Sequence, residues 1–406
     1  MSEIRVALIR EEKIPADRRV ALTPKQAAEV QVKFPHVKVI CQSSKVRCFT
    51  DEQYCTQGIE VAEDISNCGI LLGVKEVPIP KLINDKTYLF FSHTIKKQSY
   101  NRKLLQQIIE KNIRLIDYER LTNKKGNRIV AFGRFAGIVG AYNGLYTYGK
   151  KYNLYHIRRA KDCYDLEDVK TEYSKIKLPP IKIALTGAGR VANGAMEVLN
   201  GIGIRKVTPQ EYLEEKFDEP VYAQLFVTDY NVKKGGGSFT RKEFFNHPEE
   251  FEPGFLPYTK VTDLFIAGAF WDHRAPVLFH REDMLKKGFQ IKAIADITCD
   301  IEGSIPSTKR PSTIDKPVYD YNPETDEVVE EPYSSENYVS VMAIDNLPSE
   351  LPRDASHSFG ENLIQYVLPN LFGEDDGMIN RATIANKGQL TGPYLYLKDY
   401  VSGIDV

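Results

Sequence analysis

The stretch 181–203, IKIALTGAGRVANGAMEVLNGIG, decides how the rest of the chain is to be read. It opens on IKIAL, an apolar run of the length of a buried strand. It then turns through Gly187 and Gly189 and continues as a helix-like segment, AMEVLNGIG. Gly187, Gly189 and Ala192 occupy the three fingerprint positions of G-x-G-x-x-G/A. The glycines permit a tight turn and let the backbone approach a pyrophosphate, which rests on the amides that open the helix. Alone the motif carries little information; between an apolar strand and a helix it specifies a dinucleotide-binding βαβ unit. Arg190 and Val191, at the start of that helix, join the two glycines as candidate cofactor-binding residues.

The expected cofactor is therefore NADP or NAD. A carboxylate for the ribose hydroxyls belongs about 20 residues further on, at the end of the next strand. The segment IRKVTPQEYLE puts Thr208 near that point and Glu211 slightly late, while Arg205 and Lys206 are cations suited to a 2′-phosphate. The balance leans slightly to NADP(H).

Outward from this turn, strand-like and helix-like pieces alternate. IRVALI (4–9), VKVICQ, GILLGV, TYLFFSH and IRLIDYE read as strands, and NRKLLQQIIEKN has apolar residues at helical spacing. In ALTP, Thr23 and Pro24 suit the N-cap and first position of a helix. VAFGRFAGIVGAYNGLYTYG predicts a small-residue helix packed tightly on another element and joining two domains. The charged segment 161–180 reads as a linker or surface excursion, and DLFIAGAF and IKAIADIT as further strands. The Pro-rich, acidic stretch 305–337 reads as loop with short extended pieces, and SFGENLIQYVLPNLF as a helix before the closing GQLTGPYLYLKDYV. This rhythm predicts an α/β protein of two Rossmann-like, doubly wound parallel-sheet domains with a cleft between them. One is expected to comprise 1–133 plus 346–406, on the substrate side, and the other 134–345, binding the dinucleotide.

Bulk properties fit that class. A chain of 406 residues is long enough for two or three cores. Lys+Arg 54 against Asp+Glu 55 gives a net charge of −1, which argues against a polyanion-binding surface, so no nucleic-acid partner is expected. The 23 Tyr and 19 Phe are read as core packing. No apolar run approaches the ~18 residues of a membrane span, and the charged N-terminus MSEIRVALIR reads as mature structure, so a cytoplasmic protein without a membrane partner is expected. The six cysteines form no C-x-x-C and lie near no His at zinc-finger spacing; they are expected to be reduced, and no metal site is predicted.

Three consecutive strands end in polar groups: Lys75 and Glu76 after GILLGV, Ser92, His93 and Lys96 after YLFF, and Asp117 and Glu119 after IRLI. Singly, each is more often a solvated loop charge or a satisfied core group. In an open α/β sheet, however, ligands gather outside the carboxyl ends of the strands, so together they indicate a site.

At these residues the chain resembles a known family. RVALIREEKIPADRRVALTP, ILLGVKEVP, FFSHTIKKQ, IRLIDYE and VAFGRFAGIVGAYN closely resemble the lysine–2-oxoglutarate reductases, the lysine-forming saccharopine dehydrogenases. The likeness continues through HPEEFEP, LPYTK, AIADITCDIEGSI and MAIDNLPSELPRDAS and is interrupted at 151–180. More distantly the chain resembles alanine dehydrogenase and the nucleotide-binding part of proton-translocating transhydrogenase. The resemblance implies reductive condensation of L-lysine with 2-oxoglutarate to saccharopine, or the reverse, by imine formation and hydride transfer. It implies Lys75 and His93 as the acid–base pair, tuned by Glu76 and Glu119, and Arg19 as an anchor for substrate carboxylate; Lys96 and Arg134 are added as cations. It also implies Asp300 as a carboxylate near the nicotinamide and Asp345 as an acid near the cleft; either could equally cap a helix or close a turn. His357 reads as a helix-start residue. Lysine, 2-oxoglutarate and saccharopine are the expected small-molecule partners, with a homodimer as a candidate assembly. Bifunctional relatives carry a second, saccharopine-oxidising enzyme; as this chain stops at Val406, that activity is expected to be absent. The rival readings are an alanine dehydrogenase-like amino-acid dehydrogenase and a non-catalytic nucleotide-binding module.

Overall fold

In the computed structural model, which describes residues 3–404, the chain divides into two compact units. One comprises Met1–Phe132 with Pro352–Val406, the other Gly133–Leu351. Met1, Ser2 and Val406, on which the expectations about the two chain ends partly rest, lie outside the described residues.

The first unit is built on strands β1 (Ile4–Leu8), β2 (Val37–Gln42), β3 (Glu60–Ala62), β4 (Ile70–Leu72), β5 (Thr87–Phe90) and β6 (Arg114–Asp117). They pair in parallel in the order β6-β5-β4-β1-β2-β3, so β1 and β4 flank the point where strand order reverses. Two strands of the tail, Thr383–Asn386 and Gln389–Leu390, extend the sheet beyond β6 in antiparallel sense. Central positions such as Ala7, Leu71, Leu89 and Ile116 are fully buried, as a sheet covered on both faces requires. Helix α1 (Pro24–Lys33) starts at a capping box in which the Thr23 hydroxyl accepts from Gln26 N–H and the Gln26 side chain accepts from Thr23 N–H. Helices α2 (Asp51–Thr56) and α3 (Ser99–Glu110) lie on further crossovers. His357 lies inside the helix Pro352–Asn362, exposed and 3.4 Å from Glu361, and does not start it.

The second unit begins with α4 (Gly133–Lys151), followed by the short α5 (Leu166–Thr171). Its sheet contains β7 (Lys182–Thr186), β8 (Arg205–Val207) and β9 (Val221–Leu225). A separate hairpin, β10 (Asn231–Lys233) and β11 (Phe251–Pro253), interrupts it. The sheet resumes with β12 (Leu264–Ala267), β13 (Ala293–Asp296), β14 (Val318–Asn322), β15 (Glu327–Val329) and β16 (Val339–Met342). The order is β15-β14-β16-β13-β12-β7-β9-β8, parallel except for β14 and β15. Helix α6 (Arg190–Ile202) follows β7, and α7 (Pro209–Glu214) joins β8 to β9.

Helices α4 and α6 meet backbone to backbone. A Cβ on Gly137 would fall 1.9 Å from the Val191 carbonyl oxygen, and one on Gly194 2.0 Å from that of Arg134. Only glycine fits at such a crossing, which accounts for the small-residue composition noted in the sequence.

Two stretches depart from the expected loops. β14 is buried at every position, its Asp320 satisfied by Ser340 Oγ at 2.6 Å and Ser334 N at 2.8 Å. The segment 161–180 is pinned rather than free: Leu166 and Val169 are buried, and Glu172 accepts from Arg158 and Lys175. A buried ion pair, Arg159–Glu350, shared with the Asn143 amide, ties the preceding loop to α4. Among the described residues no helix is long and apolar enough to cross a membrane.

Candidate active site

Because β1, β4, β5 and β6 run parallel, their carboxyl ends share one edge of the first sheet. The polar groups that follow them are thereby brought side by side. His93, just beyond β5, is held between two carboxylates. Its Nδ1 lies 3.4 Å from Glu119 Oε2, beyond β6, and its Nε2 lies 3.8 Å from Glu76 Oε1, beyond β4. The imidazole stacks on Phe91, centroids 6.3 Å apart and planes at 18°. His93 has φ 54°, a left-handed conformation that costs a non-glycine residue energy and must be held by its surroundings.

That hold comes from Asp117. Fully buried at the end of β6, it accepts from the Ser92 amide at 3.2 Å, from the Ser92 hydroxyl, and from the Glu119 amide at 2.7 Å. Ser92 Oγ in turn meets Thr94 Oγ1 at 2.8 Å, so the residues on either side of His93 are both tethered. Burial pushes the Asp117 carboxyl up to about 6, against the opposing pull of those hydrogen bonds. Burial would raise Glu119 too, but His93, Lys96 (3.7 Å) and Arg128 (3.9 Å) outweigh it and hold that carboxyl at about 2.

Lys75 is half-buried beyond β4. Desolvation depresses its ammonium, helped by Arg19; Asp17 and Glu76 oppose the shift without cancelling it. Glu76 also accepts from Lys13 Nζ at 2.7 Å. Arg19, 2% exposed, forks onto Asp17 through Nε at 3.0 Å and Nη2 at 2.6 Å and lies 4.1 Å over the Phe132 ring.

Arg134 is placed differently from these residues: it starts α4 in the second unit, where its guanidinium forks onto Glu197 at 2.7 and 2.9 Å. Sequence reasoning missed Glu11, Lys13, Asp17 and Arg128. The first three lie in the loop after β1, and its dense charge, REEKIPADRRV, at the first crossover of a parallel sheet was the available signal.

In the second unit, the fit to a dinucleotide can be judged from the turn itself. Gly187 has φ 114°, and a Cβ there would fall 2.9 Å from the Gly268 carbonyl oxygen. A Cβ at Gly189 would meet nothing within 4 Å, which leaves room for a pyrophosphate. Gly189 caps the 13-residue α6 without a side-chain bond, so the turn enters the helix without a capping side chain in a phosphate's path. The turn fits the group. Beside it, a cavity of about 220 Å³ opens at the ends of β7 and β12, lined by Thr186, Val227, Phe244, Ala267, Phe270 and Trp271.

The strand expected to carry the ribose-binding group needs correction. β8, which follows α6 in sequence, is the edge strand, and β9 lies between it and β7. Thr208 therefore ends a strand one removed from the glycine turn, where it caps α7 and its hydroxyl meets Glu211 at 2.7 Å. Arg205 pairs with Glu219 at 2.9 Å, while Lys206 reaches Gln224 of β9 at 2.8 Å; the Gln224 amide donates to the Gly187 carbonyl at 2.9 Å. Asp300 sits half-buried in the turn after β13. The fully buried acid there is Asp296, which accepts from Thr298 Oγ1 and Thr308 Oγ1, each at 2.6 Å, and is raised by burial. Asp345 is exposed.

Comparison with known proteins adds a family context. Residues 8–139 match the family model for the alanine dehydrogenase/PNT N-terminal domain. The chain is 31% identical over 445 residues to the mitochondrial alpha-aminoadipic semialdehyde synthase of Mus musculus, covering 97% of this chain and 47% of that protein. It thus spans about half the length of that relative. With the NAD(+)-dependent, L-lysine-forming saccharopine dehydrogenase of Yarrowia lipolytica it shares 25% identity over 380 residues, 89% of this chain and 90% of the other. A solved L-alanine dehydrogenase shares the fold, with TM-score 0.66 at 15% identity over 99% of this chain and 100% of its own.

Proposed function

We propose, from the premise that this chain carries an alanine dehydrogenase/PNT N-terminal domain and is homologous to the lysine-forming saccharopine dehydrogenases, that it is an NAD(P)-dependent lysine–2-oxoglutarate reductase. The observation that carries the reading is His93, set between Glu76 and Glu119 at one sheet edge with the desolvated Lys75. Imine formation between an amine and a ketone requires a proton to be taken from nitrogen and another delivered to the departing oxygen. Lys75, its proton affinity lowered by burial and Arg19, serves as the base that accepts the first. His93 serves as the group that delivers the second and takes it back in the reverse direction. Arg19 orients a substrate carboxylate, and Glu76 and Glu119 hold the imidazole. A nicotinamide dinucleotide on the Gly187–Gly189 turn supplies hydride when bound.

The test is purified protein mixed with lysine, 2-oxoglutarate and NADH or NADPH. Loss of reduced-nicotinamide absorbance that depends on both substrates is the expected result. Absorbance loss with pyruvate and ammonia instead would assign the crevice to an alanine dehydrogenase, the reading favoured by the domain match alone. Activity with neither pair overturns the assignment.

A further inference from the structure

We propose that Glu11 is a positioning residue for Lys75: its carboxylate holds the two backbone amides beyond β4 and fixes where the Lys75 side chain leaves the sheet. The role, though not the contact, rests on the reductase reading above. Glu11 Oε1 accepts from the Val74 amide at 2.6 Å, and Oε2 accepts from the Lys75 amide at 2.9 Å.

The ladder explains why such a group is needed. On the β5 side the backbone pairing continues past β4, with Gly73 N donating to Leu89 O and Phe91 N to Val74 O. On the β1 side it ends with Ile9 N donating to Leu72 O, because the chain there leaves the sheet as a loop. The amides of Val74 and Lys75 would face that gap without an acceptor. One side chain from the departing loop fills it and continues the strand's hydrogen bonding by two residues. The contact lies at the reversal point of strand order, where an open sheet collects its ligands.

The groups around Glu11 set its charge. Asp17 and Arg19 come from its own loop, Lys75 from the end of β4, and Tyr118, whose buried hydroxyl has no hydrogen-bond partner among the described residues, from the end of β6. Desolvation, reinforced by Asp17, pushes the carboxyl up to about 8 despite the two amides and Arg19. The ionised form offers two strong acceptors; protonation weakens one of them and adds an O–H donor among N–H donors. The clamp is therefore complete above that pH and loosens below it.

The experiment compares wild type with Glu11→Gln, which keeps the size but presents an NH₂ to one of the two amides. Expected are a fall in kcat on the order of tenfold with KM for both substrates little changed, and loss of the inflection near pH 8 in the kcat profile. Independently of activity, amide hydrogen exchange in the peptide covering 72–77 should accelerate in the variant, while peptides of α6 stay protected. Unchanged exchange at 72–77, or a uniform acceleration throughout the chain, overturns the proposal. A wild type inactive with lysine and 2-oxoglutarate overturns the reductase reading instead, and the exchange measurement still decides the clamp.

Discussion

Glu119 and His93 meet across the ends of adjacent parallel strands, Oε2 to Nδ1 at 3.4 Å, while Lys96 and Arg128 neutralise the far side of the same carboxylate. The carboxylate stays ionised far into acid and so acts as a fixed acceptor for the ring N–H. Glu119→Gln removes that charge without removing bulk. It should lower kcat by about tenfold, equivalent to about 1.4 kcal/mol in the transition state, with a smaller change in KM. Steady-state kinetics with lysine as varied substrate reads this directly, and wild-type kcat in the variant would refute it.

The two carboxyls beyond β6 should affect acid stability with opposite sign. Asp117 has its folded value raised from 3.8 to about 6, so the fold binds its proton before the unfolded chain does. Acidifying from about pH 6 to 4 should therefore stabilise wild type relative to Asp117→Asn, by up to about 3 kcal/mol. Glu119 is lowered from 4.5 to about 2; its contribution is present above pH 4.5 and lost toward pH 2. Urea unfolding of wild type, Asp117→Asn and Glu119→Gln across this range distinguishes the two. Parallel stability curves for all three would sink the assignment.

Trp271 is the only tryptophan and borders the cavity beside the glycine turn, so its emission should respond to a dinucleotide seated there, without any turnover. Reduced nicotinamide dinucleotide should quench its emission saturably. Gly187→Ala places a methyl 2.9 Å from the Gly268 carbonyl at a backbone φ of 114°, costing about 1–3 kcal/mol at the turn. The dissociation constant should rise at least about tenfold. An unchanged titration would remove the turn from the binding site.

Gly194→Ala tests the helix seam. The new methyl would lie 2.0 Å from the Arg134 carbonyl, so α4 and α6 must separate. A loss of about 3 kcal/mol or more in chemical denaturation is expected, well above the gain in helix propensity of about 1 kcal/mol that alanine brings. A variant as stable as wild type would mean the two backbones do not touch.

The parts that were legible in the sequence are those where local pattern and tertiary role coincide. β4, β5 and β6 appear as apolar runs that stop at polar residues, because strands buried on both faces must be apolar throughout. The α4–α6 seam appears as an excess of small residues for an equally direct reason. What escaped depended on spatial neighbours. Chain order points to Thr208 for the ribose, whereas in the sheet β9, not β8, lies beside β7. β14 reads as loop because VYDYN has polar members, yet Ser340 and Ser334 on other elements satisfy Asp320. Glu11 reads as ordinary loop charge; its partners, the Val74 and Lys75 amides, come into register only when β1 and β4 pair.

The tail strand Thr383–Asn386 has a consequence for how the protein is made. It closes the edge beside β6, yet the whole of 133–351 separates it from the strands it completes. A ribosome must therefore release the entire second unit before the first sheet can finish. The second unit, one uninterrupted stretch of chain, has everything it needs to mature during synthesis, whereas the half of the molecule bearing His93 and Lys75 waits with β6 as an open edge. Chaperone dependence and aggregation during expression should accordingly trace to β6, not to the sheet of the second unit.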